Sequence, residues 1–144
     1  MNYDVLIVGT GIAGLYTALN LRDDIRILMI NSFRDCNSYL AQGGISTSLG
    51  LFDEENYFND TVKAGNYHND TKAVKLLIKN SIENINTLIK LGVPFDKTKE
   101  KLNYTREGGH SEFRIVHVKD ETGKSVTETL LNIVSKKRNI TMLE

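Results

Sequence analysis

The sequence predicts an α/β fold that opens on a βαβ unit, and three observations carry that reading. The apolar run Val5-Leu6-Ile7-Val8 is followed at once by the loop Gly9-Thr10-Gly11-Ile12-Ala13-Gly14. A helical pattern then runs from Leu15 to Leu21, and a second apolar run, Ile25-Arg26-Ile27-Leu28-Met29-Ile30, closes the unit. A G-x-G-x-x-G placed between strand and helix does three physical jobs. The first glycine allows the tight turn, the second lets the backbone approach a pyrophosphate, and the third lets the helix pack closely on the sheet. Phosphates would face the amides of a helix N-terminus. The start is therefore Rossmann-like and dinucleotide-binding, although glycines of this spacing also occur in ordinary βα turns.

At the end of the second strand a dinucleotide site calls for an Asp or Glu to hold the ribose hydroxyl. Asn31-Ser32 stand there instead. Both can hydrogen-bond a ribose, but the missing carboxylate weakens the case for NAD and leaves FAD, or a variant ribose contact, as the better reading. The next stretch, Asn37-Ser38-Tyr39-Leu40-Ala41-Gln42-Gly43-Gly44-Ile45-Ser46, ends on a glycine pair whose amides can close on a ligand without Cβ interference. From Asp53 to Ala64 the spacing of Tyr57, Phe58, Thr61 and Val62 predicts a short amphipathic helix. Asn69 or Asp70 caps a longer one, with Val74, Leu77, Ile78, Ile82, Ile85, Leu88 and Ile89 on its packed face up to Gly92 and Pro94.

Between Pro94 and Leu102 a lysine-rich exposed loop is expected. Tyr104-Thr105-Arg106-Glu107-Gly108-Gly109-His110-Ser111 follows, a second glycine pair flanked by charge. The Glu107 carboxylate could pair with a substrate cation or with Arg106. Phe113 to Val118 alternates as a strand, Lys119 to Gly123 is a turn, and Ser125-x-x-Glu128 reads as a capping box opening a helix through Leu130, Leu131 and Val134. Lys136, Lys137 and Arg138 fall in its last turn, and Ile140 to Glu144 form a strand. A doubly wound domain should continue beyond that strand, so the chain reads as the front part of a larger enzyme.

Composition narrows the function classes. Lys+Arg and Asp+Glu balance at 18 each, so no field draws the chain to nucleic acid or an anionic membrane. The single cysteine, Cys36, excludes an internal disulfide and suits a reducing compartment. The N-terminus lacks a basic segment and its apolar run stops at Gly9, too short for a signal or a span, which leaves the cytoplasm as the expected location. His68, His110 and His117 have no metal-ligand spacing, and no G-x-S-x-G elbow exists.

Three motifs in order, Gly9 to Gly14, Ser38-Tyr39-Leu40-Ala41-Gln42-Gly43-Gly44-Ile45 and Thr105-Arg106-Glu107-Gly108-Gly109-His110-Ser111, with Arg114-Ile115-Val116-His117 and the following Asp-x-Thr-Gly, carry a resemblance. From Tyr3 to Glu144 the chain resembles the N-terminal part of the L-aspartate oxidases. These are FAD-dependent enzymes of bacterial NAD biosynthesis within the flavoprotein family of succinate dehydrogenase and fumarate reductase. The resemblance implies one region, residues 1–144, forming the N-terminal part of an FAD-binding domain without its capping and C-terminal domains. It implies that Gly9 to Gly14 bind the cofactor, with Thr10, Gly11, Ile12 and Ala13 on the FAD pyrophosphate, Ser32 near the ribose, and Asn37 through Gly44 around the phosphates and flavin. The membrane-complex members attach FAD through a histidine five residues before the Gln or Glu of the A-[QE]-G-G run. Asn37 holds that place here, so noncovalent FAD is implied.

Glu107 is the residue that the resemblance ties to substrate choice. Relatives acting on succinate or fumarate usually carry an uncharged residue before the Gly-Gly, and aspartate is succinate plus an α-ammonium, which calls for a carboxylate partner. The implied reaction is oxidation of L-aspartate to iminoaspartate with hydride transfer to flavin and reoxidation by oxygen or fumarate. A candidate partner is the next enzyme of the pathway, quinolinate synthase. The arginine and histidines that act on substrate in the family come from later in the chain, so these residues alone are expected to be inactive. The uncovered face of the sheet suggests self-association. Two other readings are a soluble fumarate reductase or succinate-oxidising flavoprotein, and a noncatalytic nucleotide-binding module.

Overall fold

The computed structural model describes residues 2–31 and 36–144, so the expected ribose contact at Ser32 lies outside the described residues. In chain order the elements are β1 (Val5–Val8), α1 (Ile12–Asn20), β2 (Ile27–Ile30), α2 (Asn37–Leu40), β3 (Ile45–Ser46), α3 (Glu54–Ala64), α4 (Thr71–Lys90), β4 (Lys97–Thr98), β5 (Lys101–Leu102), β6 (Tyr104–Thr105), β7 (Ile115–Val116), α5 (Thr122–Val134) and β8 (Ile140–Leu143). They form two compact units, residues 1–42 with 123–144, and residues 43–122.

The first unit is built on a parallel sheet of order β1-β2-β8, in which Val5 faces Ile27 and Ile27 faces Ile140. Because side chains alternate along a strand, Val5, Ile7, Ile27 and Met29 share one face. Ile27 and Met29 are fully buried, as are Leu15 of α1 and Val126, Leu130 and Val134 of α5. On the other face Leu6 and Val8 are 57% and 79% exposed, so this sheet is covered on one side only within the unit. Parallel sheets are normally covered on both faces. The second strand starts two residues later than the apolar run suggests. Arg26 is engaged there with Asp4, donating to both carboxylate oxygens at 3.0 and 2.9 Å, and this fork holds the Asp4 carboxyl down at about 2.

The second unit carries an antiparallel sheet of order β3-β7-β6 beside the pair α3 and α4, with Tyr57, Val74 and Ile78 at the core between those helices. Asp70, not Asn69, caps α4, accepting from the amides of Lys72 and Ala73 at 2.8 and 3.2 Å. The buried stripe of α4 runs Val74, Ile78, Ser81, Ile85, Leu88. Leu77 and Ile82, expected in it, are exposed, and Ser81 is buried in their stead because its hydroxyl accepts the Ser48 amide at 2.9 Å.

Four further expectations are corrected. The lysine-rich loop after Pro94 is a hairpin, β4 to β5, turning through Lys99 and Glu100 in the left-handed region. The strand expected over Phe113 to Val118 shrinks to Ile115–Val116. Helix α5 begins at Thr122, three residues before the supposed capping box. The Thr122 hydroxyl accepts the Val118 amide at 3.0 Å, and Ser125 lies inside the helix with its carbonyl bonded by Thr129. Lys136, Lys137 and Arg138 lie beyond the end of α5, where Lys137 pairs with Asp23 at 2.7 Å.

Candidate functional site

The first glycine loop meets each physical requirement set by its spacing. Gly9 sits at φ +105°, a conformation that β-carbon-bearing residues rarely adopt, and its amide donates to the Ile30 carbonyl at 2.8 Å. A Cβ on Gly14 would overlap the Gly9 carbonyl oxygen and stand 3.2 Å from Ile7 Cγ2, so its absence lets α1 seat on β1. Gly11 is the N-cap of α1 and offers no side-chain cap. A Cβ there would meet Ser38 Oγ at 3.1 Å, and that same oxygen accepts the Ile12 amide at 3.1 Å. Ser38 therefore caps α1 across 26 residues of sequence, joining the first motif to the second. The first-turn amides of a helix have no partner within it and carry its positive end. Thr10 is buried there and Ala13 is exposed.

The second motif is a single helical turn, α2, followed by an extended run. Asn37, Leu40, Ala41 and Gln42 are exposed, and Tyr39 donates to Glu128 Oε1 at 3.3 Å. Gly123 explains its own identity against this turn. A Cβ on it would overlap the carbonyls of Ser38 and Ala41, and its amide donates to Ala41 O at 2.9 Å. A cavity of about 580 Å³ opens at the C-terminal ends of β1, β2 and β8, lined by Thr10, Asn31, Tyr39, Thr127, Leu143 and Glu144 among others. Ligands of parallel α/β sheets bind at such ends. The Thr127 hydroxyl oxygen at this cavity is buried and has no hydrogen-bond partner among the described residues.

The two glycines of the second motif, in the second unit, do different work. Gly44 sits at φ +140°, and a Cβ on it would stand 2.5 Å from Ile115 Cγ2 and 2.7 Å from the Val116 carbonyl oxygen. Gly43 instead faces a carboxylate: its Cβ would stand 2.5 Å from Glu107 Oε1. The chain thus brings the acidic residue of the third motif against the glycine pair of the second. Glu107 begins a turn closed by the His110 amide on the Glu107 carbonyl at 3.0 Å. The alternative partner, Arg106, points elsewhere: its guanidinium lies 5.0 Å from the Phe113 ring and reaches the Ser111 carbonyl at 3.5 Å.

One cluster escaped the sequence reading. Arg114 and Asp53 both have fully buried side chains, joined by a fork with Nη2 to Oδ1 at 2.6 Å and Nε to Oδ2 at 3.1 Å. Arg114 Nη1 also reaches Asp60 Oδ2 at 2.5 Å, and the guanidinium lies 5.0 Å from the Tyr57 ring. Asp60 Oδ2 accepts both the amide and the hydroxyl of Ser111 at 2.7 Å, so the cluster anchors the residue that follows the Glu107 turn. Burial alone would raise the Asp60 carboxyl, but the bonds from Ser111 and Arg114 outweigh it and hold the group below its ordinary value. Burial likewise opposes the charge on Arg114, and the two carboxylates more than restore it. Strand parity gives no signal for it, since Arg114 lies outside β7 and Ile115 and Val116, of opposite parity, are both buried.

A family described as an FAD binding domain matches residues 4–144. The chain belongs to that family. As an FAD-binding domain it is 54% identical over 144 residues to an L-aspartate oxidase of Clostridium acetobutylicum, covering 98% of this chain and 33% of that protein. It is 48% identical to an L-aspartate oxidase of Clostridium perfringens, with 98% and 33% covered. The chain therefore spans about a third of the length of these curated relatives. Among solved structures it resembles the E. coli quinol fumarate reductase FrdA, at TM-score 0.91, 25% identity, 99% of this chain and 26% of that one. The Mycobacterium smegmatis Sdh1 complex in the apo form gives TM-score 0.87 and 27% identity, with 98% and 27% covered.

The residues present fit FAD on three counts taken from the geometry. Gly11 itself puts no side chain at the N-terminus of α1, the cavity lies at the carboxyl ends of parallel strands, and a buried hydroxyl at Thr127 has no partner among the described residues. No described helix is long and apolar enough to cross a membrane.

Proposed function

We propose that this FAD-binding domain is the N-terminal portion of an L-aspartate oxidase, and that its sheet is the front part of a doubly wound domain completed by later segments. The observation that carries the substrate is the Glu107 carboxylate, lodged against Gly43 and unpaired with Arg106. Aspartate differs from succinate by an ammonium group, and a carboxylate is the group that distinguishes the two. FAD supplies the hydride acceptor. The chain's own contributions are the first-turn amides of α1 toward the pyrophosphate, the Ser38 hydroxyl that fixes that turn, the segment from Asn37 to Gly44 around phosphate and flavin, and Glu107 at the substrate amine. FAD is held noncovalently, because the Asn37 side chain cannot form the link made by histidine in covalent relatives. The product is iminoaspartate, the acceptor oxygen or fumarate, the setting cytoplasmic NAD biosynthesis, and quinolinate synthase a candidate recipient of that labile product.

The groups that hold the substrate carboxylates and take its α-proton would come from later segments, so the 144 residues alone are expected to be inactive. The test compares aspartate with succinate as reductant of the flavin in the complete enzyme, using Glu107→Gln as the probe. Aspartate reduction should fall by about tenfold or more while succinate is unaffected, since a hydrogen bond to a charged group contributes roughly 1.5–3 kcal/mol. If both substrates reduce the flavin alike and the substitution is silent, the protein is a succinate- or fumarate-directed flavoprotein instead.

A further inference from the structure

Residues 43 to 46 and 107 to 110 face one another at both ends. At one end the Glu107 carboxylate lies against Gly43. At the other, His110 Nε2 and Ser46 Oγ are 2.9 Å apart. Between them the turn is closed by its own bond, the His110 amide to the Glu107 carbonyl. We infer that His110, acting through Ser46, is a positioning residue that fixes where the Glu107 carboxylate stands; its bearing on substrate rests on the proposed amine role of Glu107.

The chemistry of the imidazole supports this assignment. His110 Nδ1 is buried and has no partner among the described residues. A buried N–H without an acceptor is the rarer and costlier arrangement, whereas a bare ring nitrogen is tolerated more readily. The ring therefore carries its proton on Nε2 and donates to Ser46 Oγ. Among the described residues that single bond is the only polar attachment of the His110 side chain, and it reaches across 64 residues of sequence to the strand that follows Gly43. Ser46 is itself fixed: its carbonyl accepts the Tyr57 hydroxyl at 3.2 Å, and β3 pairs with β7 through Ser46 and Ile115. On the far side of the turn, Ser111 is held by Asp60. Glu107 itself is exposed, so its direction is set by the turn beneath it and not by neighbours packed on its own side chain. Ser46 on the strand, His110 on the turn and the open space at Gly43 together set the backbone position from which Glu107 presents its carboxylate.

Two measurements test the clamp, with His110→Ala, Ser46→Ala, the double variant and His110→Gln. In the protein without flavin, exchange of the His110 amide should quicken about fivefold to tenfold in either single variant, the effect of losing one hydrogen bond of ordinary strength. The double variant should exchange no faster than the singles, and His110→Gln, which retains a donor, should recover part of the protection. Nitrogen shifts of the ring should report the proton on Nε2. In the complete flavin-loaded enzyme, KM for aspartate should rise about fivefold while its kcat and both constants for succinate stay put. If His110→Ala does not fold, Ser46→Ala, which leaves the ring in place, carries the same comparison. Unchanged exchange, additive singles, or equal losses on aspartate and succinate would overturn the assignment. If Glu107→Gln proves silent while exchange responds as stated, the clamp stands and the amine role fails. If Glu107→Gln acts and exchange does not respond, the reverse holds.

Discussion

Gly43→Ala isolates the carboxylate from the fold that carries it. The added Cβ would stand 2.5 Å from Glu107 Oε1 and 3.5 Å from its Cδ, with no backbone atom in the way. Ordinary contact distances require the carboxylate to retreat by about 1 Å. Glu107 is exposed and ends in a flexible side chain, so the retreat is a rotation costing roughly 0.5–1.5 kcal/mol at most. Gly43 does not occupy the left-handed region, so alanine meets no backbone strain there. Global stability should therefore change by no more than about 1.5 kcal/mol. Function should respond more, because an ångström of misplacement costs on the order of 10²-fold in a well-oriented site. In the complete enzyme, kcat/KM for aspartate should drop roughly 10- to 100-fold with succinate changed less than about twofold. Flavin reduction by stopped flow reads the activity and urea unfolding reads the stability. Gly43 also belongs to the segment assigned to the cofactor, and succinate controls for that, since a damaged flavin site would slow both substrates together. Equal losses on the two substrates, or a stability loss above about 2 kcal/mol, would refute the reasoning.

The neighbouring substitution should behave in the opposite way. Gly44→Ala forces a Cβ to 2.7 Å from the Val116 carbonyl at φ +140°, which no rotamer relieves, and should cost about 2–4 kcal/mol in urea unfolding. Asp53→Asn leaves Arg114 buried with Asp60 as its remaining carboxylate and should cost about 3 kcal/mol, with loss of hydrogen-exchange protection concentrated in residues 43–122. Asp4 and Asp60 are both depressed in the folded state, so the unfolded chain binds more protons and stability rises with pH across their titration. Their contribution is present above the ordinary carboxylate value near 3.8 and is lost as pH falls, for Asp4 through about 2. Unfolding midpoints at pH 5, 4 and 3 should decline (round pH values, about one unit apart), and Asp4→Asn should flatten part of that decline.

Legibility in the sequence followed the range of the forces involved. The βαβ start was plain because its determinants are local: an apolar strand, three glycines with distinct steric tasks, and a second strand pairing in parallel. The end of α3 at Ala64 and a cap for α4 at Asn69 or Asp70 were legible for the same reason. What failed was set at a distance. Ser125 and Glu128 have the right spacing for a capping box, yet helix α5 starts earlier because Thr122 is engaged with the Val118 amide and Gly123 can approach the Ala41 carbonyl. Leu77 and Ile82 match a helical stripe as well as Ser81 does not, and only the bond from the Ser48 amide explains why the serine is inside. The Arg114 cluster joins residues 53, 60 and 114, a pairing that no window of local sequence contains. At the candidate site the residue types were readable, but the contact of Glu107 with Gly43 and the bond from His110 to Ser46 required the fold.

The exposure of Glu107 bears on what the rest of an oxidase must do. An ion pair formed in water contributes about 0–1 kcal/mol. Separating aspartate from succinate by a hundredfold takes about 2.7 kcal/mol, beyond that range. If Glu107 meets the substrate amine as proposed, water has to be excluded from its carboxylate when substrate is bound, and the 144 residues leave it open on the solvent side. The chain spans about a third of its curated relatives, so the length for such a cover exists in proteins of this kind. Division of labour follows from the dielectric argument. On the proposed reading this portion would orient the carboxylate through Gly43, His110 and Ser46, and a covering portion would convert that orientation into selectivity by removing the water around it.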